Sequence, residues 1–454
     1  MEVSRTCRVE LHSSPRLCKN FMQKGVSHHL PQPLAYNSKS SNEIYSMFSL
    51  ILALLLLLQL FLNLTAANVN VDYLWVVHDA GESYYSEPVI QDILMNDPSK
   101  TLKILCLGEP STSLFTSLGE HQITLSELGI EVDIRDGTTY ARKQQLTPKD
   151  LEIITSAITT KKVITGTVYK MQAQIAAAFL QEDSTKAVIG IYDSFSLYDV
   201  NSITNEDFVV VSGKQVIDTL YISAADQQSS VITENNITPL VVGNPSLESW
   251  DSIQSDTASV MNARQLIFDK QNQNGDGSVT FSSDTSVLFT FAGDYGESDY
   301  DDSVILFCDT VSSMSNDALF AFTPHPGYPS SYEEAIFQQH GCSDHIVIVT
   351  PDMELSTALV VAASNASMSY CSTVGGQSIS IGVPHVYTVP SSANACNDMF
   401  TAADVIGIDE SVSSLQNTLL VDFKEVEYVV DPVSISTAGI PLNSTDIIVE
   451  NLLS

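Results

Sequence analysis

Short apolar runs alternate along this chain with segments of helical spacing. YLWVVHD (73–79), LKILCLG (102–108), KKVITGT (161–167), KAVIGIYD (186–193), DFVVVSG (207–213) and TPLVVGNP (238–245) are rich in β-branched residues and too short for typical helices. Between them lie PVIQDILMND (88–97) and the Ala-rich MQAQIAAAFLQ (171–181), both of helix-forming composition. Residues 123–136 read as helix then strand, and KQVIDTLYISA (214–224) as the connection after 207–213. The alternation resumes at SVLFTFAG (286–293). It continues through VILFCD (304–309, read as a strand), a polar helix, IVIVTP (346–351), HVYTV (385–389) and ADVIGID (403–409). Uninterrupted apolar runs are what strands covered on both faces require. The pattern predicts an α/β protein with two Rossmann-like, doubly wound parallel-sheet domains, at 68–250 and 286–420, facing an interdomain cleft. In such sheets ligands bind beyond the carboxyl ends of the strands. Residues 251–285 are expected to be a linker and 421–454 a C-terminal tail.

The front of the chain departs from this pattern. Residues 1–46 are polar and Ser-rich without periodicity, and are expected to be a disordered extension or the product of a mis-assigned start. Residues 48–62 form an apolar run interrupted only by Gln59, short for a spanning helix and suited to a signal-peptide core. Residues 47–67 are therefore expected to be a signal peptide or a signal anchor. Translation from Met47 would give an ordinary signal peptide. From Met1, the basic flank would favour a type II anchor. Either route delivers the body into the secretory pathway, secreted or lumenal, with membrane attachment only through 48–62 if uncleaved. Sequons at Asn236, Asn365 and Asn443 agree with that destination.

Charge narrows the partners. The 454 residues carry 20 Lys and Arg against 54 Asp and Glu, a net charge of −34. Beyond residue 67 the balance is 14 against 51, or −37. Nucleic acid is excluded as a natural partner, because binding it needs clustered basic residues. From residue 271 onward Lys424 is the single Lys, and there is no Arg. The seven cysteines (Cys7, Cys18, Cys106, Cys308, Cys342, Cys371 and Cys396) show no metal-type spacing. One disulfide among Cys342, Cys371 and Cys396 and buried free thiols are both compatible with their spacing.

Candidate chemistry centres on Cys371–Pro384, CSTVGGQSISIGVP. A polar Ser-Thr-x-Gly-Gly turn opening a short helix presents backbone N–H groups at the positive end of a helix dipole, suited to a diphosphate. The stretch resembles the S/T-x-G-G-x-E-x-x-x-x-G-x-P segment of the C-terminal half of GT-B glycosyltransferases. Nearest in pattern are the UDP-N-acetylglucosamine 2-epimerases and the CDP-glycerol glycerophosphotransferase-like group. Thr165-Gly166-Thr167, Asp193-Ser194-Phe195 and Gly243-Asn244-Pro245 follow the order of the family's N-terminal half.

The resemblance implies that Ser372, Thr373, Gly375 and Gly376 hold the donor diphosphate, with His325 of PHPG assisting. Gln377 stands where the family has the ribose-binding Glu. His78 or Asp79, in the turn after the first strand that also holds Glu82, would be the general base. No cofactor or metal is implied; a nucleotide-activated sugar or polyol donor is the substrate and a glycan-type molecule the acceptor. The alternative is a catalytically inactive acidic binding protein on the same scaffold. It is favoured by Gln377 and by the scarcity of cations, which leaves protonated His325, His340, His345 or His385 to offset a diphosphate. NQNGDGSVTFSS (272–283) resembles a calcium loop, with Asn272, Asn274 and Asp276 in ligand positions. Its last position is Ser283, not Glu, so a plain Asn/Gly turn is expected.

Overall fold

The computed structural model describes residues 68–132, 144–195, 216–228, 237–274, 280–283, 286–294, 299–326, 330–389, 400, 407–419 and 439–454. The expected extension and signal segment, the run 207–213, Asn236 and Asp276 lie outside them.

The first sheet takes β1 (Val69–Val77), β2 (Leu102–Cys106), β3 (Gln122–Thr124), β4 (Ile158–Gly166), β5 (Ala187–Ile191), β6 (Thr219–Ile222) and β7 (Thr238–Val241). Their order is β3-β2-β1-β4-β5-β6-β7, with every neighbouring pair parallel. The second sheet takes β8 (Val287–Ala292), β9 (Ala318–Thr323), β10 (Ile346–Ile348), β11 (Ala366–Ser369), β12 (His385–Thr388) and β13 (Gly407–Asp409). It runs β10-β9-β8-β11-β12-β13, again parallel throughout. Both sheets reverse direction of growth at their first strand, so each has a switch point at that strand's carboxyl end. The two doubly wound lobes are the expected architecture.

Helices cover both faces. α1 (Ala80–Asn96) starts at Asp79, whose Oδ1 accepts the Glu82 N–H at 2.9 Å. α2 (Glu109–Leu114) follows β2 directly. α3 (Pro148–Ala157) has a Thr147–Asp150 capping box with Pro148 at its first position, and α4 (Lys170–Glu182) buries Met171, Ala173, Ile175, Ala176 and Phe179. α5 (Pro245–Ser255) is capped by Asn244, and α6 (Thr257–Asn274) follows after one residue. The segment read as a linker is therefore largely helical up to Asn274.

In the second lobe α7 (Tyr300–Met314) absorbs residues 304–309, which had read as a strand. Tyr300, Val304, Phe307, Val311 and Met314 recur at helical spacing and are all buried. An apolar run this short has no period of its own to separate the two structures. α8 (Ser331–His340) ends at Gly341 in the left-handed region, φ 73°. α9 (Thr357–Ala362), α10 (Val374–Ser380) and α11 (Val412–Asn417) complete this lobe.

Two further readings in the first lobe are corrected. Gln122–Thr124 is strand and 125–129 are turn where a helix was read, and residues 133–136 of that reading lie outside the described residues. Thr219–Ile222, read as part of a connection, is a sheet strand whose Leu220, Tyr221 and Ile222 are fully buried. Cys342 pairs with Cys308, joining α7 to the end of α8, rather than with Cys371 or Cys396. Cys371 is also disulfide-bonded, and Cys106 is the free cysteine among the described residues.

The last helix, α12 (Ser444–Leu453), returns to the first lobe. Ile448, Val449 and Leu452 join the core around Tyr73 and Trp75. The Leu452 carbonyl accepts from Tyr73 Oη at 2.9 Å and Lys162 Nζ at 2.7 Å, and Asn451 Oδ1 accepts from Tyr221 Oη at 2.6 Å. Each such apolar side chain contributes about 1.5–3 kcal/mol on burial.

Candidate functional site

The switch point of the first sheet carries a concentration of polar side chains. β1 ends at Val77, and the turn to α1 places His78, Asp79 and Glu82 beside the end of β4. Glu82 has no exposed surface; its Oε2 accepts from the His78 N–H at 2.9 Å and from Gln172 Nε2 at 2.6 Å. Its Oε1 lies over the α-carbon of Gly166, where any side chain would collide, and has no hydrogen-bond partner among the described residues. Gly166 is thus a glycine because a carboxyl group occupies its side-chain space. Burial, reinforced by Asp79 and Asp193, pushes the Glu82 carboxyl well above the ordinary 4.5.

Asp79 is held from two sides: Oδ1 caps α1, and Oδ2 accepts from Tyr169 Oη at 2.9 Å. The Tyr169 ring stacks on His78 with centroids 3.7 Å apart. His78 is 5% exposed, and neither ring nitrogen has a partner among the described residues. Desolvation lowers its pKa to about 4 against the opposing pull of Asp79. Across the cleft, His325 follows β9 in the second lobe. Its pKa is also lowered to about 4 by burial, and again Asp79 is the charge that pulls it back. The structure therefore brings His78, Asp79 and His325 into one neighbourhood, although His325 had been expected near the donor phosphates.

The Ser372–Gln377 turn lies at the seam between the lobes and meets the first lobe at Phe195 and Ser246. Ser372, Thr373 and Val374 are half-buried; Ser372 Oγ receives the Val374 N–H at 3.4 Å, and the Ser372 carbonyl receives the Gly375 N–H at 3.0 Å and Tyr387 Oη at 3.3 Å. A Cβ on Gly375 would sit 2.5 Å from Tyr387 Oη. One on Gly376 would sit 2.5 Å from Phe400 Cε2 and 2.7 Å from Phe195 Cδ2. The space these glycines leave is filled by aromatic rings, and Phe195 meets Phe400 edge-on at 5.1 Å. The side-chain space of both glycines is thus taken by packed rings. Gln377 donates to Ser246 Oγ at 3.0 Å, tying the second lobe to the start of α5.

No protein-family model matches the sequence, and no curated protein does. Solved structures match over nearly the whole body. UDP-GlcNAc 2-epimerase from Neisseria meningitidis, bound to UDP-GlcNAc, has a TM-score of 0.57 at 13% identity, covering 84% of this chain and 99% of that one. S. aureus MnaA, in a co-structure with UDP, gives 0.56 at 11% identity over 85% and 96%. The Methanocaldococcus jannaschii UDP-GlcNAc 2-epimerase, in complex with UDP-GlcNAc and UDP, gives 0.55 at 11% over 84% and 99%.

The fold is GT-B-like. On this GT-B-like scaffold the remaining sequence candidates are structural or lie apart. His385 is 1% exposed between Ser367 and Ser369, with its pKa lowered to about 3 by burial, so it offers a ligand no charge. Asn272 clamps the loop behind α6 through both backbone groups of Phe281, at 3.0 and 3.1 Å, which commits its amide away from any cation. No group of three or more metal-ligating side chains occurs among the described residues. The Asn365 carboxamide oxygen accepts from Leu288 N–H and Arg264, and Ser367 of that sequon is fully buried. Asn443 is exposed.

Sequence reasoning missed the roles of Glu82, Gln172 and Tyr169. The signal available was a Glu three residues after a capping Asp, beside a Gly ending a strand. It marks a helix start; only the pairing of β1 with β4, which brings Gly166 beside Glu82, shows that the carboxyl turns inward.

Proposed function

We propose that this chain is a binding protein on a GT-B-like scaffold that does not transfer from nucleotide diphosphate donors, and that it works in an oxidising, extracytoplasmic compartment. The observation that carries the reading is Gly376, whose open face is closed by Phe195 and Phe400. Charge argues the same way. A diphosphate needs fixed donors or cations, and losing one such donor commonly costs about 10²–10³ in rate. Here the sequence from residue 271 onward has Lys424 alone, and His78 and His325 stay neutral until the pH falls to about 4. An acidic lumen would not charge them. The Cys308–Cys342 disulfide supports the compartment, because such bonds persist where thiols are oxidised.

One observation favours the competing transferase reading: Ser372–Val374 remain half-exposed, and the epimerase structures of the same fold hold UDP or UDP-GlcNAc. Calorimetric titration with UDP, UDP-GlcNAc and CDP at about pH 5.5 and about pH 7 separates the two. The binding-protein reading predicts no heat with any of them at either pH. Saturable heat with a nucleotide would establish the transferase-type site instead.

A further inference from the structure

The two lobes share more than the chain that crosses between them. Phe195 follows β5 of the first lobe, yet it is 1% exposed and belongs to the apolar core that the second lobe builds from Phe291, Ile379 and Tyr387. Its ring fills the notch left by Gly376 and meets Phe400 edge-on. The turn that presents it is held by first-lobe side chains. Gln227 Nε2 donates to the Ser194 carbonyl and Asn244 Nδ2 to the Asp193 carbonyl, both at 2.9 Å. The amide oxygens of those two side chains are engaged in turn, Gln227 Oε1 by the Ser223 and Ala224 N–H groups and Asn244 Oδ1 by Ser246. The Asp193 carboxyl occupies the side-chain space of Gly81 at the start of α1. Because Ser246 Oγ also accepts from Gln377, one hydrogen-bonded chain runs from α10 through Ser246 and Asn244 to the Asp193 carbonyl. α5 adds two apolar anchors: Leu247 joins the second-lobe core, and Trp250 packs with Val361 of α9 and with Ile381 and Val383 beyond α10.

We infer that Phe195 is a bolt that, with α5 beside it, fixes the lobes at one spacing, so that the cleft takes any ligand without domain closure. Two-lobed proteins commonly close on a ligand by hinge motion, and relative movement of domains is the default unless their interface is apolar and well packed. A hinge here would have to draw Phe195 out of a core of rings, empty the notch at Gly376 and break the Gln377–Ser246 bond. Interiors packed in this way hold discrete arrangements and do not deform continuously. The turn that carries the ring cannot bend to follow, since both of its carbonyls are tied to the first lobe. The inference goes beyond the binding-protein reading and stands or fails separately from it.

The test is the distance between spin labels on Ser117→Cys, in the first lobe, and Gln339→Cys, on α8, read in the full chain by pulsed electron spin resonance. Both positions are exposed. The native background is expected to give one narrow distribution. Phe195→Ala is expected to broaden it about two-fold, and Phe195→Leu, which keeps an apolar side chain in the notch, to restore most of the native width. Two populations in the native background, or an unchanged width in Phe195→Ala, overturns the inference. The native protein is also expected to unfold in a single calorimetric transition, both lobes together. Two transitions, one for each lobe, overturn the bolt even if Phe195→Ala does not fold. UDP separates the two levels: heat of UDP binding without a change in the label distance contradicts the binding-protein reading and supports the bolt. Heat accompanied by a shorter distance overturns both.

Discussion

At the scale of single residues, Glu82 is the most consequential side chain of the first lobe. Burial, Asp79 and Asp193 all disfavour its anion and hold its pKa well above 4.5. A carboxyl whose folded pKa is raised contributes stability fully below its unfolded value near 4.5, and that contribution is lost as the pH rises toward the folded value. Glu82→Gln keeps an acceptor for the His78 N–H and for Gln172 while removing the titration. Melting curves between about pH 5 and pH 8 are expected to show the native protein losing stability with rising pH relative to Glu82→Gln. Parallel curves for the two proteins would mean that Glu82 is ionised or solvated. Gly376 gives a second residue-scale prediction. Gly376→Ala should cost about 1–3 kcal/mol through overpacking against Phe195 and Phe400, read as a lowered Tm. A neutral or stabilising effect would show that this face is open. The sequence identified these glycines as special but not why. Gly-Gly before a short helix admits either a phosphate or a ring, and Phe195 comes from the other lobe, far away in sequence.

At the scale of elements, the chain was legible where apolar runs were long and bounded by turn residues. β1, β4, β5 and β8 fall on such runs. It was not legible where an apolar run was short: residues 304–309 became part of α7, and Thr219–Ile222 became a strand. In both cases partners distant in sequence decide, the packing of Phe307 on Phe291 in one and the pairing of β6 with β5 in the other. The Cys308–Cys342 bond, across a separation of 34 residues, fastens α8 to α7. By the chain-entropy argument its removal should cost about 3–4 kcal/mol. Cys308→Ser/Cys342→Ser should therefore lower the midpoint of denaturant unfolding and, by freeing the unfolded chain to expand, raise its slope. An unchanged midpoint would show that the bond does not constrain the unfolded chain. α12 is the element least visible in the sequence. Its Ile448, Val449 and Leu452 form an ordinary amphipathic stripe, and nothing local says that the stripe belongs to the first lobe.

At the scale of the whole molecule, the alternation of strands and helices and the Cys371–Pro384 segment together pointed to the GT-B-like architecture that the structure has. They pointed less well to its use. The family's donor-binding turn is present in outline, yet its glycines support aromatic packing, its Glu is Gln377, and the lobe that should offset a diphosphate has almost no fixed positive charge. The most direct test is the phosphorus NMR spectrum of UDP with increasing amounts of the protein at about neutral pH. Resonances that keep their shifts and widths are predicted. Broadening or displacement of both phosphorus signals, reversed by excess unlabelled UDP-GlcNAc, would contradict the account.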